Sequence, residues 1–146
     1  MTSRSAVESR TITKFSPSQV RTVEDDLTVE EPLEIRLAVH RPDQDPEERI
    51  AVTMRTPGDD FERAVGFLFT EGLPHSYRDI QSIRYCQTEK AAHRGNVVRV
   101  QLRAGVDVDT QRLSGHSYRN SSCGLCGRAS IEAVQVPPTV KHQTPA

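Results

Sequence analysis

The chain has 146 residues, enough for one modest domain, and only 35% of them are hydrophobic. Its 19 Lys and Arg and 20 Asp and Glu residues leave a net charge of −1, so no basic excess indicates a nucleic-acid partner. No apolar run approaches the length of a membrane span and no secretory signal follows Met1, so we expect a cytoplasmic protein without membrane contact. Three cysteines, an odd number, fit a reducing compartment.

The chain begins with polar sequence and continues with two alternating segments. Residues 1–26 are rich in Ser, Thr, Arg and Glu, which predicts a mostly flexible leader. Apolar and polar residues then alternate over residues 33–39 and again over residues 49–55, on either side of a turn rich in Pro and Asp. This pattern predicts an antiparallel β-hairpin near the start of a folded region that spans residues 27–136.

A helix follows the hairpin, with signals at both of its ends. Asp59 is a good N-cap residue, and Glu62 three positions later resembles a capping box. Gly72 and Pro74 predict where the helix stops. Between them, apolar residues recur at helical spacing, which predicts an amphipathic helix with its apolar face in the core: Phe61, Ala64, Val65, Leu68 and Phe69.

Two more strands are predicted, at residues 80–85 and 97–102. Cys86 lies at the end of the first, where we expect its thiol to be half-buried and structural. Residues 128–134 predict a short second helix, and residues 137–146 predict a Pro-rich tail. Together these elements predict an α+β fold. We expect an antiparallel sheet of about four strands, one long packed helix, and a cysteine loop that leads into the second helix.

The cysteine loop contains Cys123 and Cys126, a Cys-x-x-Cys surrounded by Ser and Gly. This spacing can lower the pKa of one thiol below the free value of about 8.5. If residues 128–134 form a helix, its N-terminal N–H groups also favour a thiolate. The pair is therefore the candidate site for sulfur chemistry.

Other interpretations of the motif stay open. A structural zinc site would need four ligands, such as both motif cysteines with Cys86 and His116. A thiol–disulfide oxidoreductase uses the same spacing, although no βαβ pattern surrounds it here. The motif could also have no chemical role. Spacing alone does not choose among a sulfur nucleophile, a zinc-stabilised interaction module and a redox pair.

Four segments in order carry a resemblance to a known family. They are Val-Glu-Glu-Pro-Leu at 29–33, Met-Arg-Thr-Pro-Gly-Asp-Asp at 54–60, Ala-Val-Gly-Phe-Leu-Phe-Thr-Glu-Gly-Leu at 64–73, and Asn-Ser-Ser-Cys-Gly-Leu-Cys-Gly at 120–127. In order and spacing they resemble the formate dehydrogenase accessory sulfurtransferases, the FdhD family, over most of residues 29–134. The last segment matches that family's Cys-Gly-x-Cys-Gly signature.

The resemblance implies a function. Such proteins take sulfane sulfur from a cysteine desulfurase as a persulfide. They pass it to the molybdenum bis(molybdopterin guanine dinucleotide) cofactor that formate dehydrogenase needs. Cys123 would be the persulfide carrier, and Cys126 would assist or act as a second carrier. The resemblance also implies a homodimer, contact with the formate dehydrogenase catalytic subunit, and no tightly bound metal.

The length of the family's members implies one further expectation. Its members are considerably longer, with a second half that resembles the cytidine-deaminase fold and carries most of the cofactor-binding positions. Here the sequence ends soon after the signature. We therefore expect the cytidine-deaminase-like half to be absent and the cofactor-binding residues to lie mainly outside this sequence.

Overall fold

The computed structural model describes residues 5–39, 47–87, 93–106 and 108. These residues form six strands, one α-helix and a 3₁₀ turn at Tyr77–Asp79. In chain order the elements are β1 (Val7–Ser16), β2 (Gln19–Thr28), β3 (Glu31–Ala38), β4 (Glu47–Arg55), α1 (Asp60–Thr70), β5 (Ile80–Tyr85) and β6 (Val97–Leu102). The predicted strand pair, helix and two later strands are all present at nearly their predicted positions.

The main sheet has the strand order β4-β3-β6-β5. β3 pairs with β4 and β5 pairs with β6 in the antiparallel sense, as predicted, but β3 and β6 run parallel. The predicted all-antiparallel sheet is therefore wrong at its centre, and the sheet is mixed. The physical reason is that α1 carries the chain from β4 to β5, so that β6 returns beside β3 in the same direction.

One face of the sheet and α1 enclose the hydrophobic core. Alternate residues of β3 and β6 meet Ala64 and Leu68 of α1 there, and both helix residues are fully buried. The fully buried strand residues of this core, all at 0% exposure, are Leu33, Ile35, Leu37, Val98, Val100 and Leu102. The alternation predicted for both strands is confirmed on this face.

The two ends of α1 differ in how well the sequence predicts them. The predicted capping box at its N-terminus is wrong, because Asp59 has a left-handed φ of 49° and its side chain makes no capping hydrogen bond. The predicted stop is confirmed at Gly72, whose φ is +79° and whose N–H donates to the Phe69 carbonyl at 3.0 Å. The Leu73 N–H donates to the Leu68 carbonyl at 2.8 Å, so two of the last carbonyls of the helix, those of Leu68 and Phe69, are satisfied.

The predicted flexible leader is wrong from residue 7 onward. β1 and β2 form a hairpin in which all ten residues of each strand are paired, from Val7 opposite Thr28 to Ser16 opposite Gln19. Most of its side chains are exposed, so no continuous apolar face reveals it in the sequence. The signals that could have revealed it are the β-branched residues on both sides of the Pro17-Ser18 turn.

The second helix predicted at 128–134 and the tail at 137–146 lie outside the described residues, and so does the loop that would lead into that helix. Those parts of the fold stay predictions.

Core packing on α1 yields a stability prediction. Leu68 is fully buried, whereas Phe61 is half-buried beside Tyr85, with their ring centroids 4.8 Å apart. We expect Leu68→Ala to destabilise the fold by about 2–5 kcal/mol and Phe61→Ala by less, because truncation of a half-buried ring leaves a smaller cavity. Urea unfolding of both variants measures this. A larger loss for Phe61→Ala would mean that the ring carries more of the core than its exposure indicates.

Candidate functional site

Both predicted site residues, Cys123 and Cys126, lie outside the described residues, as does His116 of the zinc alternative. Their roles therefore stay predictions. Of the three cysteines, the structure describes Cys86.

Cys86 directly follows β5 and is half-buried, which agrees with the structural thiol expected from the sequence. Its backbone N–H donates to the Val97 carbonyl at 2.9 Å, which continues the β5–β6 ladder by one residue. The side chain packs against Val52 and Val97, a small apolar cluster separate from the main core. The thiol therefore lies on the sheet face opposite α1.

That opposite face carries a line of charge, which we call the arginine row: Arg49, Arg36, Arg99 and Arg84. Arg36 of β3 is registered with Arg49 of β4 and with Arg99 of β6, and Arg99 is registered with Arg84 of β5. Because residues directly opposite each other share one face of a sheet, one arginine from every strand stands in a single line. Sequence reasoning missed this row, since each arginine alone fits the polar side of an alternating strand.

Two glutamates lie within the row, on its β3–β4 side. The Glu34 carboxylate, on a residue only 2% exposed, accepts from Arg36 at 2.5 Å and lies 3.2 Å from the Arg49 Nε. Glu47 accepts from the Arg36 Nη1 at 2.9 Å and lies 3.1 Å from the Arg99 Nε. Both glutamates thus contact Arg36 and one neighbour each, and neither pairs with Arg84.

A second charged cluster lies on the helix side of the sheet, around the buried residues Arg55 and Asp60, which are 4% and 3% exposed. The Arg55 Nε and Nη2 donate to the two Asp60 carboxylate oxygens, each at 2.9 Å. The same Nη2 also donates to the Gly95 carbonyl at 3.0 Å and to the Asn96 Oδ1 at 2.9 Å. This bidentate pair joins β4, the start of α1 and the loop before β6.

Tyr85 extends the cluster to β5. Its hydroxyl donates to the Asp60 Oδ2 at 3.0 Å. Burial, together with this hydrogen bond to a carboxylate, raises the pKa of Tyr85 from 10.0 to about 12. The Arg55 Nη1 lies 3.6 Å from the Glu31 carboxylate but has no hydrogen bond partner of its own among the described residues. Strands β4 and β5, helix α1 and the loop before β6 therefore all meet at the Arg55–Asp60 pair.

A cavity of about 1030 Å³ lies along β5 and the start of β6. Its charged lining residues are Arg84, Arg94, Arg99 and Glu47, and the aromatic rings of Phe61 and Tyr85 border it as well. Cys86 lines the same cavity. The cavity thus borders both sides of the edge strand β5, with Phe61 and Tyr85 on the α1 side and Arg84 and Cys86 on the other.

No helix in the described part of the chain has the length and apolar character that crossing a membrane requires. No group of three or more His, Cys, Asp or Glu side chains in it is arranged to hold a metal ion.

The fold has a counterpart among solved structures. A crystal structure described as that of a formate dehydrogenase accessory protein from Desulfotalea psychrophila superposes with a TM-score of 0.53 at 19% identity, over 73% of this chain and 38% of that one. A mixed sheet with one packed helix is thus an architecture found in that protein. At this level of identity the likeness concerns the fold.

Sequence comparison defines the family. The FdhD/NarQ family profile matches residues 28–146, so the chain belongs to that family. The sulfur carrier protein FdhD of Streptomyces coelicolor is 44% identical over 130 residues, and that of Mycolicibacterium paratuberculosis is 43% identical over 128 residues. These alignments cover 88% and 86% of this chain but only 43% and 44% of the relatives, so the chain spans less than half their length.

The buried ion pair yields the second prediction. We expect Arg55→Met to destabilise the fold by about 3–5 kcal/mol, because it leaves the Asp60 carboxylate buried without its partner. The double variant Arg55→Met/Asp60→Leu removes both charges and should recover part of that loss. Urea unfolding of both variants and of Asp60→Leu completes the cycle. Additive losses would show that the two side chains are not coupled.

The raised pKa of Tyr85 yields a prediction about the pH dependence of stability. Because the folded state holds the neutral phenol, this contribution to stability is complete below pH 10 and is lost as the pH rises towards about 12. The stability difference between the wild type and Tyr85→Phe should therefore shrink across that window in urea unfolding. Tyr77→Phe is the control, since Tyr77 is 67% exposed. A difference that stays constant with pH would contradict the hydrogen bond to Asp60.

Proposed function

We propose that this chain provides the sulfur-accepting part of a sulfur carrier, with Cys123 as the persulfide site. The observation that carries this proposal is the family match over residues 28–146, which includes both cysteines of the Cys-x-x-Cys. The curated relatives at 41–44% identity, including that of Mycobacterium tuberculosis, are named sulfur carrier protein FdhD. A cysteine desulfurase is the proposed donor of sulfur.

The proposed loading step needs no oxidant. The Cys123 thiolate attacks the outer sulfur of the donor's cysteine persulfide, a new S–S bond forms on Cys123, and the donor cysteine leaves as a thiolate. This reaction requires an accessible thiol of lowered pKa. The glycine and serine neighbours in the sequence favour access to the sulfur.

Cys126, three residues later, suits the delivery step. Attack of its thiolate on the inner sulfur of the Cys123 persulfide would form a Cys123–Cys126 disulfide and release the outer sulfur as hydrosulfide. The two electrons that reduce this sulfur come from the two thiols. A cellular dithiol would then reduce the disulfide and return the carrier to its starting state.

The proposed acceptor is the molybdenum bis(molybdopterin guanine dinucleotide) cofactor, which acts as substrate here. The sequence contains no Gly-x-x-x-x-Gly-Lys-Ser/Thr phosphate loop. By resemblance we assign most of the cofactor contacts to the part of the relatives that this chain does not span. Formate dehydrogenase as the enzyme served and a homodimeric assembly belong to the same proposal.

Sulfur loading is the direct test. The chain is incubated with a cysteine desulfurase and cysteine, and persulfides are then counted by alkylation. We expect Cys123→Ala to abolish sulfur loading on the motif and Cys126→Ala to impair it less completely. Cys86→Ala is the matched control and should load normally, because Cys86 packs against Val52 and Val97 on the sheet.

Three outcomes would change this assignment. Undiminished persulfide formation in Cys123→Ala would remove Cys123 from the role of carrier. Stoichiometric zinc in protein purified without chelator, with loss of zinc in both motif variants, would favour the zinc-stabilised module instead. If Cys126→Ala lost as much sulfur loading as Cys123→Ala, or more, the roles assigned to the two cysteines would be reversed.

A further inference from the structure

The β1–β2 hairpin forms a sheet of its own, and no other strand of the described residues pairs with it. A lone two-stranded hairpin is at best marginally stable in water, and a third strand or a packed helix normally supports it. At about 3.3 Å per residue, its ten-residue strands are about 33 Å long. The hairpin therefore has the size of an interaction element whose stability calls for a further neighbour.

Apolar side chains are concentrated on this hairpin. Of the five large hydrophobic residues that are exposed in the described part of the chain, four belong to it: Val7, Phe15, Val20 and Leu27. Phe15 is 78% exposed and lies opposite Val20 beside the turn. Val7, at the other end of β1, is on the same face as Phe15, because an even number of residues separates them. Such a concentration on one element marks an interaction surface.

The direction of the backbone groups of β1 follows from its ladder with β2. The Val29 N–H donates to the Ala6 carbonyl at 3.0 Å, so these two residues are a hydrogen-bonded pair. Hydrogen-bonded and non-hydrogen-bonded pairs alternate along an antiparallel ladder. The odd-numbered residues from Val7 to Phe15 therefore direct their N–H and C=O groups away from β2. A strand added to this outer edge must bond to those residues, which restricts its register.

A second copy of β1 fits this edge in an antiparallel register centred on Thr11. Val7 then lies opposite the partner's Phe15, and Glu8 lies opposite the partner's Lys14. Thr11 faces the partner's Thr11 on the two-fold axis. Pairs of an aromatic with a β-branched residue, of opposite charges and of two threonines all stabilise neighbouring strands. The symmetry repeats the first two pairs on the other side of the axis.

Other self-pairing registers of β1 are less favourable. The axis must lie on a residue and not between two residues, because outward-directed residues bond to each other. An axis on Arg10 sets two arginines opposite each other, and an axis on Ile12 sets Arg10 opposite the partner's Lys14. Like charges in that position destabilise a sheet. Axes nearer the ends pair fewer residues, so the sequence of β1 favours the axis on Thr11.

The outer edge of β2 differs in charge. It carries three consecutive acidic residues, Glu24–Asp26, and charges on an edge strand oppose the addition of another strand. Within one hairpin, Glu8 contacts Arg10 at 2.8 Å and Lys14 contacts Asp25 at 2.7 Å, and all four side chains are partly exposed. Pairing through β1 brings Glu8 beside the partner's Lys14, so positive and negative charges alternate across the junction. The existing ion pairs are therefore extended and not opposed.

We propose that the outer edge of β1 pairs with β1 of a second copy about Thr11, which joins two hairpins into a four-stranded sheet. About ten backbone hydrogen bonds form across the junction. The inference rests on the homodimeric assembly of the proposed function and identifies its interface. Cys123 and Cys126 take no part in it. Sulfur loading therefore tests the carrier, whereas association and cross-linking test this interface.

Charge reversal tests the contact between copies. Glu8→Lys alone sets like charges opposite each other at both ends of the junction, and so does Lys14→Glu alone. In sedimentation equilibrium of the 146-residue chain, we expect each variant to dimerise about tenfold more weakly than the wild type. An equimolar mixture of the two restores opposite charges at both ends and should recover the association. A mixture that associates no better than either variant alone contradicts the proposal, because mixing cannot repair a defect within one hairpin.

Proline substitution distinguishes the two edges of the hairpin. Thr11 of β1 and Thr22 of β2 are both exposed, and both lie in non-hydrogen-bonded pairs, so proline removes no ladder bond within the hairpin. We expect Thr11→Pro to weaken dimerisation about tenfold or more and Thr22→Pro to leave it unchanged. Circular dichroism checks that both variants fold. Equal dimerisation of the two variants would rule out the β1 edge.

Disulfide cross-linking measures the register. In a Cys86→Ala/Cys123→Ser/Cys126→Ser background, Thr11→Cys should form a disulfide between copies, because residues opposite each other on the axis have Cα atoms about 5.5 Å apart. Thr13→Cys is the control, since its two copies are separated by about 13 Å along the strands.

Equally efficient cross-linking of Thr11→Cys and Thr13→Cys, or none in a chain that dimerises, would assign the dimer to another surface. Assemblies larger than a dimer would show that β1 pairs with β2 of the next copy, which leaves free edges and does not close. A wild-type chain that stays monomeric would also overturn the proposal. None of these results would affect the assignment of Cys123 as the sulfur carrier.

Discussion

The bidentate contact between Arg55 and Asp60 is the constraint on which the rest of the structure depends. A buried guanidinium is tolerated only when its charge and its donors are matched. The Arg55–Asp60 pair therefore requires the start of α1, the Tyr85 strand and the loop at Asn96 to converge on one point. That convergence holds α1 against one face of the sheet and lets the core close on that face.

Once α1 occupies one face, the two faces of the sheet acquire different chemistry. The helix side holds the apolar core, with Ile35, Val98 and Leu68 at 0% exposure, beside the Arg55–Asp60 pair. The other side carries the arginine row, and its buried carboxylate Glu34 contacts Arg36. Stability comes from the first face, since apolar burial is the larger favourable contribution. The second face retains arginines in register, and Glu34 and Glu47 compensate part of their charge.

Membership of the FdhD/NarQ family directs attention to sulfur, and the described structure adds a positively charged surface to it. The proposed carriage depends on the reactivity of Cys123, which its immediate neighbours govern. The charged surface depends instead on strand pairing, which brings Arg84 and Arg99 together.

Local patterns in the sequence determined the helix at 60–70 and the strands at 80–85 and 97–102, whereas the thiol chemistry of Cys123 and Cys126 stays a prediction. Each depends on residues a few positions apart, and short-range periodicity encodes them. Only the tertiary structure decided the parallel β3–β6 pairing and the hairpin at 7–28. It also decided the reach of Arg55 to Asn96, 41 residues away, and the line of four arginines. Strand register is a property of distant segments, so no alternation within one strand can specify which side chains it will face.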